Sequence, residues 1–195
     1  MTAVTDLAHP IGPTTVDEWR SADHPDDGSQ LELIWGYYHE SPPPGGPHQY
    51  ALGALYRALW QAVEGNDRLH AVTGVGIEIS TAIRTALIPD VALLNTLPTT
   101  TSFPASALVL AVEIWSPGNN VHERETKVAG YAIAGVPYLW TVDMHAGRRA
   151  ATLRAFELVG GTYRERTPMP TGDGAGRVVV QGPVEVSVDL ASLVP

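Results

Sequence analysis

The spacing of apolar residues predicts a long amphipathic helix in the first third of the chain. Between Pro47 and Gly65, apolar residues recur at helical intervals, and the proline and the glycine fit the first turn and the end of a helix. His48 lies one turn before Leu52 on the apolar stripe, so we expect its side chain to point inward. The stripe consists of Leu52, Leu55, Tyr56, Leu59, Trp60 and Val63.

Strands and a second helix are predicted after this helix. Strand patterns cover residues 69–80, 87–94 and 108–115, and the last two are almost continuously apolar. Such runs are typical of central strands that are covered on both faces. A helix at 122–134 and a strand at 137–143 follow. The order helix, three strands, helix, strand predicts an α/β core.

Shorter elements flank this core. Thr14 or Thr15 can cap a short helix that ends at Trp19. Residues 31–40 are rich in aromatic and aliphatic residues, and this pattern predicts a hairpin or a bent strand with Gly36 at its centre. In its first half, Leu31, Leu33 and Trp35 share one face, and Glu32 and Ile34 share the other. Towards the C-terminus, strand pairs are predicted at 151–159 with 162–166 and around 178–188.

Composition indicates an ordinary soluble protein. The chain has 195 residues, of which 44% are hydrophobic and 17% charged, and it shows no repeat or linker. We therefore expect a single domain over 1–195, with residues 1–13 as a loose tail. Cysteine is absent, which excludes disulfides and thiolate metal sites. Without a recognisable signal peptide or membrane span, a cytoplasmic location is expected.

The distribution of basic residues is uneven. A net charge of −9 argues against a protein that coats nucleic acid non-specifically. Six of the eleven arginines lie between Arg148 and Arg177; they could contact phosphates, although scattered surface arginine is the commoner explanation. Lys127 is the single lysine, which suggests that its position requires a compact ammonium group.

Two acidic residues lie in strands that are otherwise apolar. Asp90 follows Pro89 at the start of the strand at 87–94, and Glu113 is in the middle of the strand at 108–115. An unpaired carboxylate there costs several kcal/mol, so it must meet a cation, share a proton or lie at an opening in the core. Two such residues on neighbouring strands predict a shared cation site, and oxygen ligands suit Mg²⁺ or Mn²⁺.

Each residue also has a simpler explanation. A single acid in a strand is more often at an edge or bonded to a nearby arginine. Glu123 and Lys127 have the spacing of an ordinary ion pair on a helix surface. His48 would more often be a hydrogen-bonded core histidine than a ligand. It is the combination of these residues that favours a functional site.

An ordered series of motifs runs from about residue 31 to residue 143 and resembles a known family. The motifs are LELI-x-G at 31–36, a proline-rich loop leading to His48, Pro89-Asp90-Val91, Val112-Glu113-x-x-Ser116-Pro117, Glu123-x-x-x-Lys127-x-x-x-Tyr131, Ala134-Gly135-Val136 and Trp140-x-Val142-Asp143. In this series the chain resembles the Uma-two family of endonucleases, which belongs to the restriction-endonuclease-like PD-(D/E)XK superfamily.

The resemblance implies a fold and a set of site residues. The fold would be a restriction-endonuclease-like α/β (α+β) core: a central mixed sheet flanked by helices, with extra N- and C-terminal strands. Asp90 and Glu113 would hold Mg²⁺ or Mn²⁺, and Lys127 would position or activate the attacking water. Glu32 would be a further acidic site residue, as a second-metal ligand or a proton acceptor. The supporting side chains would be those of His48, Glu123 and Tyr131.

The chain departs from the family pattern at three places. Trp115 stands two residues after the glutamate, where the superfamily usually has its lysine, so the resemblance assigns the lysine role to Lys127 of the following helix. Trp35-Gly36-Tyr37 replaces a common Asp-Gly-Glu, and Glu123 stands where an aspartate is expected. The first two changes could reshape the substrate opening.

These observations predict a metal-dependent nuclease that hydrolyses phosphodiester bonds of DNA. Two alternatives remain open. One is a non-catalytic interaction protein that keeps the nuclease fold, and the other is a hydrolase of a smaller phosphoester, which fits the acidic charge better. A homodimer is possible, although the sequence carries no interface signature.

Overall fold

A computed structural model describes residues 12–116, 119–145, 151–166 and 176–195, and the backbone of 169–170. In these residues the helices are α1 (Val16–Arg20), α2 (Gly46–Ala62) and α3 (Val121–Ile133), with 3-10 turns at Ala105–Ala107 and Leu190–Leu193. None of the helices in this part of the chain is long and apolar enough to cross a membrane. The strands are β1 (Gln30–Ile34), β2 (Tyr37–Ser41), β3 (His70–Thr73), β4 (Gly76–Ser80), β5 (Thr85–Leu87), β6 (Val91–Leu94), β7 (Ser102–Pro104), β8 (Leu108–Trp115), β9 (Tyr138–Met144), β10 (Ala151–Val159), β11 (Thr162–Arg166), β12 (Met169–Pro170), β13 (Arg177–Val180) and β14 (Val186–Asp189).

The strands form three sheets. The central sheet has the order β11-β10-β9-β8-β6-β3, in which β8 and β9 are parallel and the other neighbours antiparallel. Helix α3 connects β8 to β9, as a parallel pair requires. A second sheet has the order β2-β1-β5-β4-β7, and a small C-terminal sheet has the order β12-β13-β14. The mixed α/β architecture predicted from the sequence is confirmed.

Apolar residues cover both faces of the central sheet. On one face, Val91, Leu110 and Val112 pack with α2 and the C-terminal sheet. On the other face, Ala92 and Ala111 pack with α3 and with Ile77 and Leu87 of the second sheet. This double coverage explains why β6 and β8 are almost continuously apolar, as the sequence suggested.

Two predicted strands are each divided into two in the structure, so their predicted bounds were wrong. The strand at 69–80 is β3 and β4, which lie in different sheets and are separated by Gly74 with a φ of +66°. The strand at 87–94 is β5 and β6, because Ile88-Pro89-Asp90 interrupts it. A proline cannot donate to a strand ladder, so the chain changes sheets here. Asp90 therefore lies in the junction just before β6.

The other predicted elements are present within a few residues of their expected bounds. Thr15 caps α1 with a capping box, and residues 30–41 form a hairpin. Its two-residue turn is Trp35-Gly36, both with positive φ, so Trp35 does not share a strand face with Leu31 and Leu33 as expected. The rest of that expectation is consistent with the strand register.

Two details of α2 differ from the sequence interpretation. Trp60 is 46% exposed, because it lies at the edge of the stripe, whereas Leu55, Leu59 and Val63 are buried. The helix ends at Ala62 with Val63 as its cap, so Gly65 follows in the turn instead of capping the helix. Residues 1–11 of the predicted tail, and Pro117 and Gly118 of the predicted Ser-Pro turn, lie outside the described residues.

Candidate active site

Four charged side chains from separate elements meet where the second sheet, the central sheet and α3 join. Glu32 comes from β1, Asp90 from the junction before β6, Glu113 from β8 and Lys127 from α3. All four residues are at least 94% buried. Buried charges of this kind persist only with partners, so their contacts describe the site.

Asp90 is held by a backbone group and by a histidine. Its Oδ2 accepts a hydrogen bond of 2.7 Å from the backbone N–H of Ile114 on the neighbouring strand. Its Oδ1 lies 3.3 Å from Nε2 of His48, which α2 carries in its first turn. The inward direction predicted for His48 is therefore observed, and it brings the histidine to Asp90.

Each carboxylate oxygen of Glu113 has a polar partner. Its Oε1 accepts a 2.6 Å hydrogen bond from the hydroxyl of Tyr131, and its Oε2 lies 3.3 Å from Nζ of Lys127. The pKa of Glu113 is raised to about 8, mainly by burial and also by the charges of Asp90 and Glu32, while Lys127 and Tyr131 oppose the shift. Burial also raises the pKa of Tyr131 well above its ordinary value, which keeps its hydroxyl a donor.

Glu32 links the second sheet to the other charged groups. Its Oε1 lies 2.9 Å from Nζ of Lys127 and accepts a 2.7 Å hydrogen bond from the backbone N–H of Ile88. Since Ile88 is two residues before Asp90, the same carboxylate also fixes the junction that carries Asp90. Its Oε2 is buried and has no hydrogen-bond partner within the described residues.

Lys127 is buried between two carboxylates and does not pair with Glu123. Burial opposes its charge most strongly, but Glu113 and Glu32 together outweigh burial and raise the pKa of Lys127 above its ordinary value. Glu123 instead accepts a hydrogen bond from the side chain of Asn119 at 3.1 Å. The simple surface ion pair considered from the sequence is therefore not observed.

An open cavity of about 480 Å³ gives access to these residues. Asp90, Glu113 and Lys127 line its wall together with His48 and Glu123. The cavity is also lined by residues that were not predicted from the sequence, namely Gln30, His39, Glu40 and Asn119. His39 could have been predicted from the hairpin, because the β1–β2 register places it opposite Glu32. The dimensions suit a polar small molecule or part of a polymer.

The position that usually carries the lysine is occupied by an anchored tryptophan. Trp115 is 4% exposed, and the guanidinium of Arg124 lies 5.5 Å from its ring centroid. Arg124 also donates to Asp143 at 2.6 Å and to the carbonyl of Ser116 at 3.1 Å. This contact gives a structural reason for Asp143 in the sequence series. Arg124 carried no sequence signal that could have selected it.

The negative charge of the site is compatible with binding a cation. The site contains three carboxylates, Glu32, Asp90 and Glu113, and one lysine, so the four groups carry a formal charge of −2 when all are ionised. The described residues contain no group of three or more His, Cys, Asp and Glu side chains arranged to hold a metal ion. Asp90 and Glu113 nevertheless offer hard oxygen donors at the cavity wall, a donor type that fits Mg²⁺ or Mn²⁺.

The sequence matches a family model over residues 17–183, and that family is described as "Putative restriction endonuclease". The chain belongs to the Uma2 family. A search of curated proteins finds no match. Among solved structures, one similar protein is a "putative nuclease belonging to DUF820" from Anabaena variabilis, at 15% identity and a TM-score of 0.63. The match covers 82% of this chain and 89% of that chain.

The Uma2 assignment confirms the family expected from the motif series, and the structural match confirms a restriction-endonuclease-like fold. The predicted site residues are brought together. Lys127 contacts both Glu32 and Glu113, whose other oxygen is bound by Tyr131. Asp90 lines the same cavity as Glu113 and Lys127 and is held by His48 and by the N–H of Ile114. Their roles in catalysis stay a prediction.

Proposed function

We propose that this Uma2 protein is a metal-dependent nuclease that hydrolyses phosphodiester bonds of DNA. The observation that carries the proposal is the buried group of three carboxylates and one lysine, of which Asp90, Glu113 and Lys127 line an open cavity. A structural ion pair needs no cavity and no surplus of negative charge. A site for a divalent cation and a phosphate accounts for both.

Asp90 and Glu113 would hold Mg²⁺ or Mn²⁺. The ion would stabilise negative charge on the scissile phosphate and make a nearby water more acidic. The protein's own groups prepare this site: the N–H of Ile114 and His48 orient Asp90, and Tyr131 orients Glu113. With the lysine amine 3.3 Å from Glu113, Lys127 is placed to orient the attacking water or stabilise charge in the transition state.

Glu32 is proposed to act through Lys127. It is absent from the cavity wall, and its bonded oxygen faces the lysine and the N–H of Ile88. This arrangement favours a role in keeping Lys127 charged and correctly directed. The same geometry disfavours a role of Glu32 as a direct metal ligand.

The test is cleavage of plasmid and single-stranded DNA by the full chain, with Mg²⁺, with Mn²⁺ and with a chelator. We expect cleavage only with a divalent ion, and a loss of at least about a hundredfold in Glu113→Gln and in Lys127→Met. Glu64→Gln, an exposed acid beyond the end of α2, is the matched control and should cut normally. Cleavage that survives both site substitutions would contradict the proposal.

Binding of the metal is tested separately by calorimetric titration with Mn²⁺. The proposal expects binding that is lost in Asp90→Asn and Glu113→Gln and kept in Glu64→Gln. A protein that only uses the nuclease fold for interactions would show no binding that depends on these two residues. That outcome would favour the non-catalytic alternative.

Hydrolysis of a smaller phosphoester is the second candidate. A net charge of −9, and the acids Glu40 and Glu123 at the cavity, disfavour a long polyanion and favour a compact one. Assays with mononucleotides, dinucleotides and DNA under identical conditions separate the two. Faster turnover of the small substrates, with the same dependence on Glu113, would replace DNA as the substrate and keep the proposed chemistry.

A further inference from the structure

A second groove lies beside the candidate active site and is separated from it by Trp115. It has a volume of about 780 Å³ and is formed by the outer flank of α3 and by strands β9, β10 and β11. Trp115 lines both the groove and the active-site cavity. The two spaces are therefore neighbours around the N-terminal end of α3.

The strand register places groove residues in line with the site. Glu113 is paired with Thr141 on β9, and Thr141 is paired with Arg154 on β10. Paired residues point to the same face of a sheet, so all three side chains lie on the face that α3 covers. Two strand spacings separate Glu113 from Arg154, a distance of about 10 Å.

The groove combines aromatic surface with an exposed cation. Phe156 and Tyr163 supply aromatic surface, and their rings contact each other edge to face at a centroid distance of 6.5 Å. Arg154 is exposed and forms no ion pair with any residue that the structure describes. Aromatic rings next to a guanidinium are the usual partners of a stacked base and its phosphate.

The described groove wall has no net negative charge in spite of the acidic chain. Arg124 pairs with Asp143 at 2.6 Å, and the exposed Arg154 balances the exposed Glu125. One of the C-terminal arginines noted in the sequence thus lies near the site and is not simply scattered over the surface.

We propose that this groove binds an unpaired nucleotide that flanks the scissile phosphate, with its base against Phe156 and Tyr163 and its phosphate at Arg154. The inference rests on the proposed nuclease function. It implies a preference for single-stranded DNA, or for duplex DNA with an unpaired end, because a paired base cannot leave its stack to enter the groove without added cost.

The test measures binding of a fluorescent single-stranded oligonucleotide, and of its fully paired duplex, by anisotropy with Mg²⁺ present. The full chain carries Glu113→Gln to prevent cleavage. Arg154→Ala and Phe156→Ala should each weaken binding of the single strand about tenfold, with a smaller effect on the duplex. The matched controls are Arg164→Ala on β11 and Tyr50→Ala on α2, which are outside the groove and should change binding by less than about twofold.

Salt dependence gives a readout that a merely structural role would not change. Arg154→Ala should reduce the slope of log Kd against log salt by about 0.7, the value for one phosphate contact with a single strand. Arg154 is exposed, so its substitution tests the inference even if Phe156→Ala fails to fold.

The outcomes separate the two proposals. Wild-type cleavage of DNA, together with unchanged binding in Arg154→Ala and Phe156→Ala, would overturn the groove inference and leave the nuclease function intact. Failure of the wild type to cleave and of Glu113→Gln to bind any DNA would overturn both. Equal weakening of single-strand and duplex binding would also overturn the groove inference, because it would mean that Arg154 contacts phosphates of either form of DNA without preference for an unpaired nucleotide.

Discussion

At the scale of single residues, Lys127 connects two of the three carboxylates of the candidate site. Nζ of Lys127 lies 2.9 Å from Glu32 and 3.3 Å from Glu113, so one compact ammonium serves two carboxylates from different sheets. A guanidinium is planar and broader, and it would need more space between the same two groups. This geometry is a physical reason for a lysine in a chain that otherwise uses arginine.

The raised pKa of Glu113 predicts how stability depends on pH when no divalent ion is present. Its folded-state pKa of about 8 exceeds the ordinary value of 4.5, so between these pH values the folded protein holds one proton more than the unfolded chain. The stabilisation is complete below the unfolded pKa and is lost as the pH rises towards the folded pKa. The slope from this group is at most about 1.4 kcal/mol per pH unit.

Chemical denaturation with a chelator, at several pH values in this window, measures the effect. Glu113→Gln should show a flatter profile than the wild type, because the titrating group is gone. Mg²⁺ should flatten the wild-type profile at its upper end, since a bound cation favours the ionised carboxylate. Identical slopes in wild type and Glu113→Gln would contradict the assignment.

The sequence identified these residues as candidates but did not predict their contacts. Asp90 and Glu113 were recognisable because acids are costly in apolar strands, and Lys127 because it is the single lysine. The hydrogen bonds from the N–H groups of Ile88 and Ile114 had no signal, since they join residues that are 56 and 24 positions apart. Such pairings depend on which strands become neighbours.

At the scale of elements, α3 and its N-terminal cap place the lysine. Asn120 caps the helix by accepting a hydrogen bond of 2.8 Å from the N–H of Glu123. The first turn also contains Arg124, which fixes Trp115 and Ser116. A helix anchored in this way keeps Lys127, one turn further on, directed at Glu113.

We predict that Asn120→Ala affects both stability and activity. Loss of the cap should cost about 1 kcal/mol and loosen the first turn of α3. Thr15→Ala is the matched control, because Thr15 caps α1 through the N–H of Glu18 and lies outside the cavity wall. Denaturation should show similar losses in both variants, whereas kcat for DNA cleavage should fall only in Asn120→Ala. Equal kcat values would argue that the cap does not position the site.

Element boundaries were predictable where local signals decide them. The cap at Thr15 was one of the two residues predicted, the proline in the first turn of α2 was predicted correctly, and the hairpin was one of the two forms expected for residues 31–40. The two divided strands were not predicted, because an apolar run looks the same whether it stays in one sheet or passes into another. Pro89 was the available signal, and its missing N–H marks the junction that carries Asp90.

At the scale of the whole molecule, the candidate site lies at the interface between the second sheet and the central sheet. Glu32 belongs to the second sheet, Glu113 to the central sheet, and Lys127 to the helix that packs on the central sheet. The same interface is otherwise apolar, with Ile77 and Leu87 against Ala92 and Tyr131. The charged contact therefore couples the arrangement of the sheets to the geometry of the candidate active site.

This coupling can be measured with a double-mutant cycle between Glu32 and Lys127. Lys127→Met leaves two buried carboxylates without their cation and should cost about 3–5 kcal/mol. Glu32→Gln removes one of those charges, so its effect in the Lys127→Met background should be smaller than in the wild type, with a coupling energy of about 0.5–3 kcal/mol.

The exposed pair of Arg166 and Glu157, with a 2.8 Å hydrogen bond within the central sheet, is the control, and its coupling energy should be below about 1 kcal/mol. Both cycles use unfolding by denaturant in the presence of a chelator. Strict additivity between Glu32 and Lys127 would show that this ion pair does not couple the second sheet to α3, and that Glu32 does not act through the lysine.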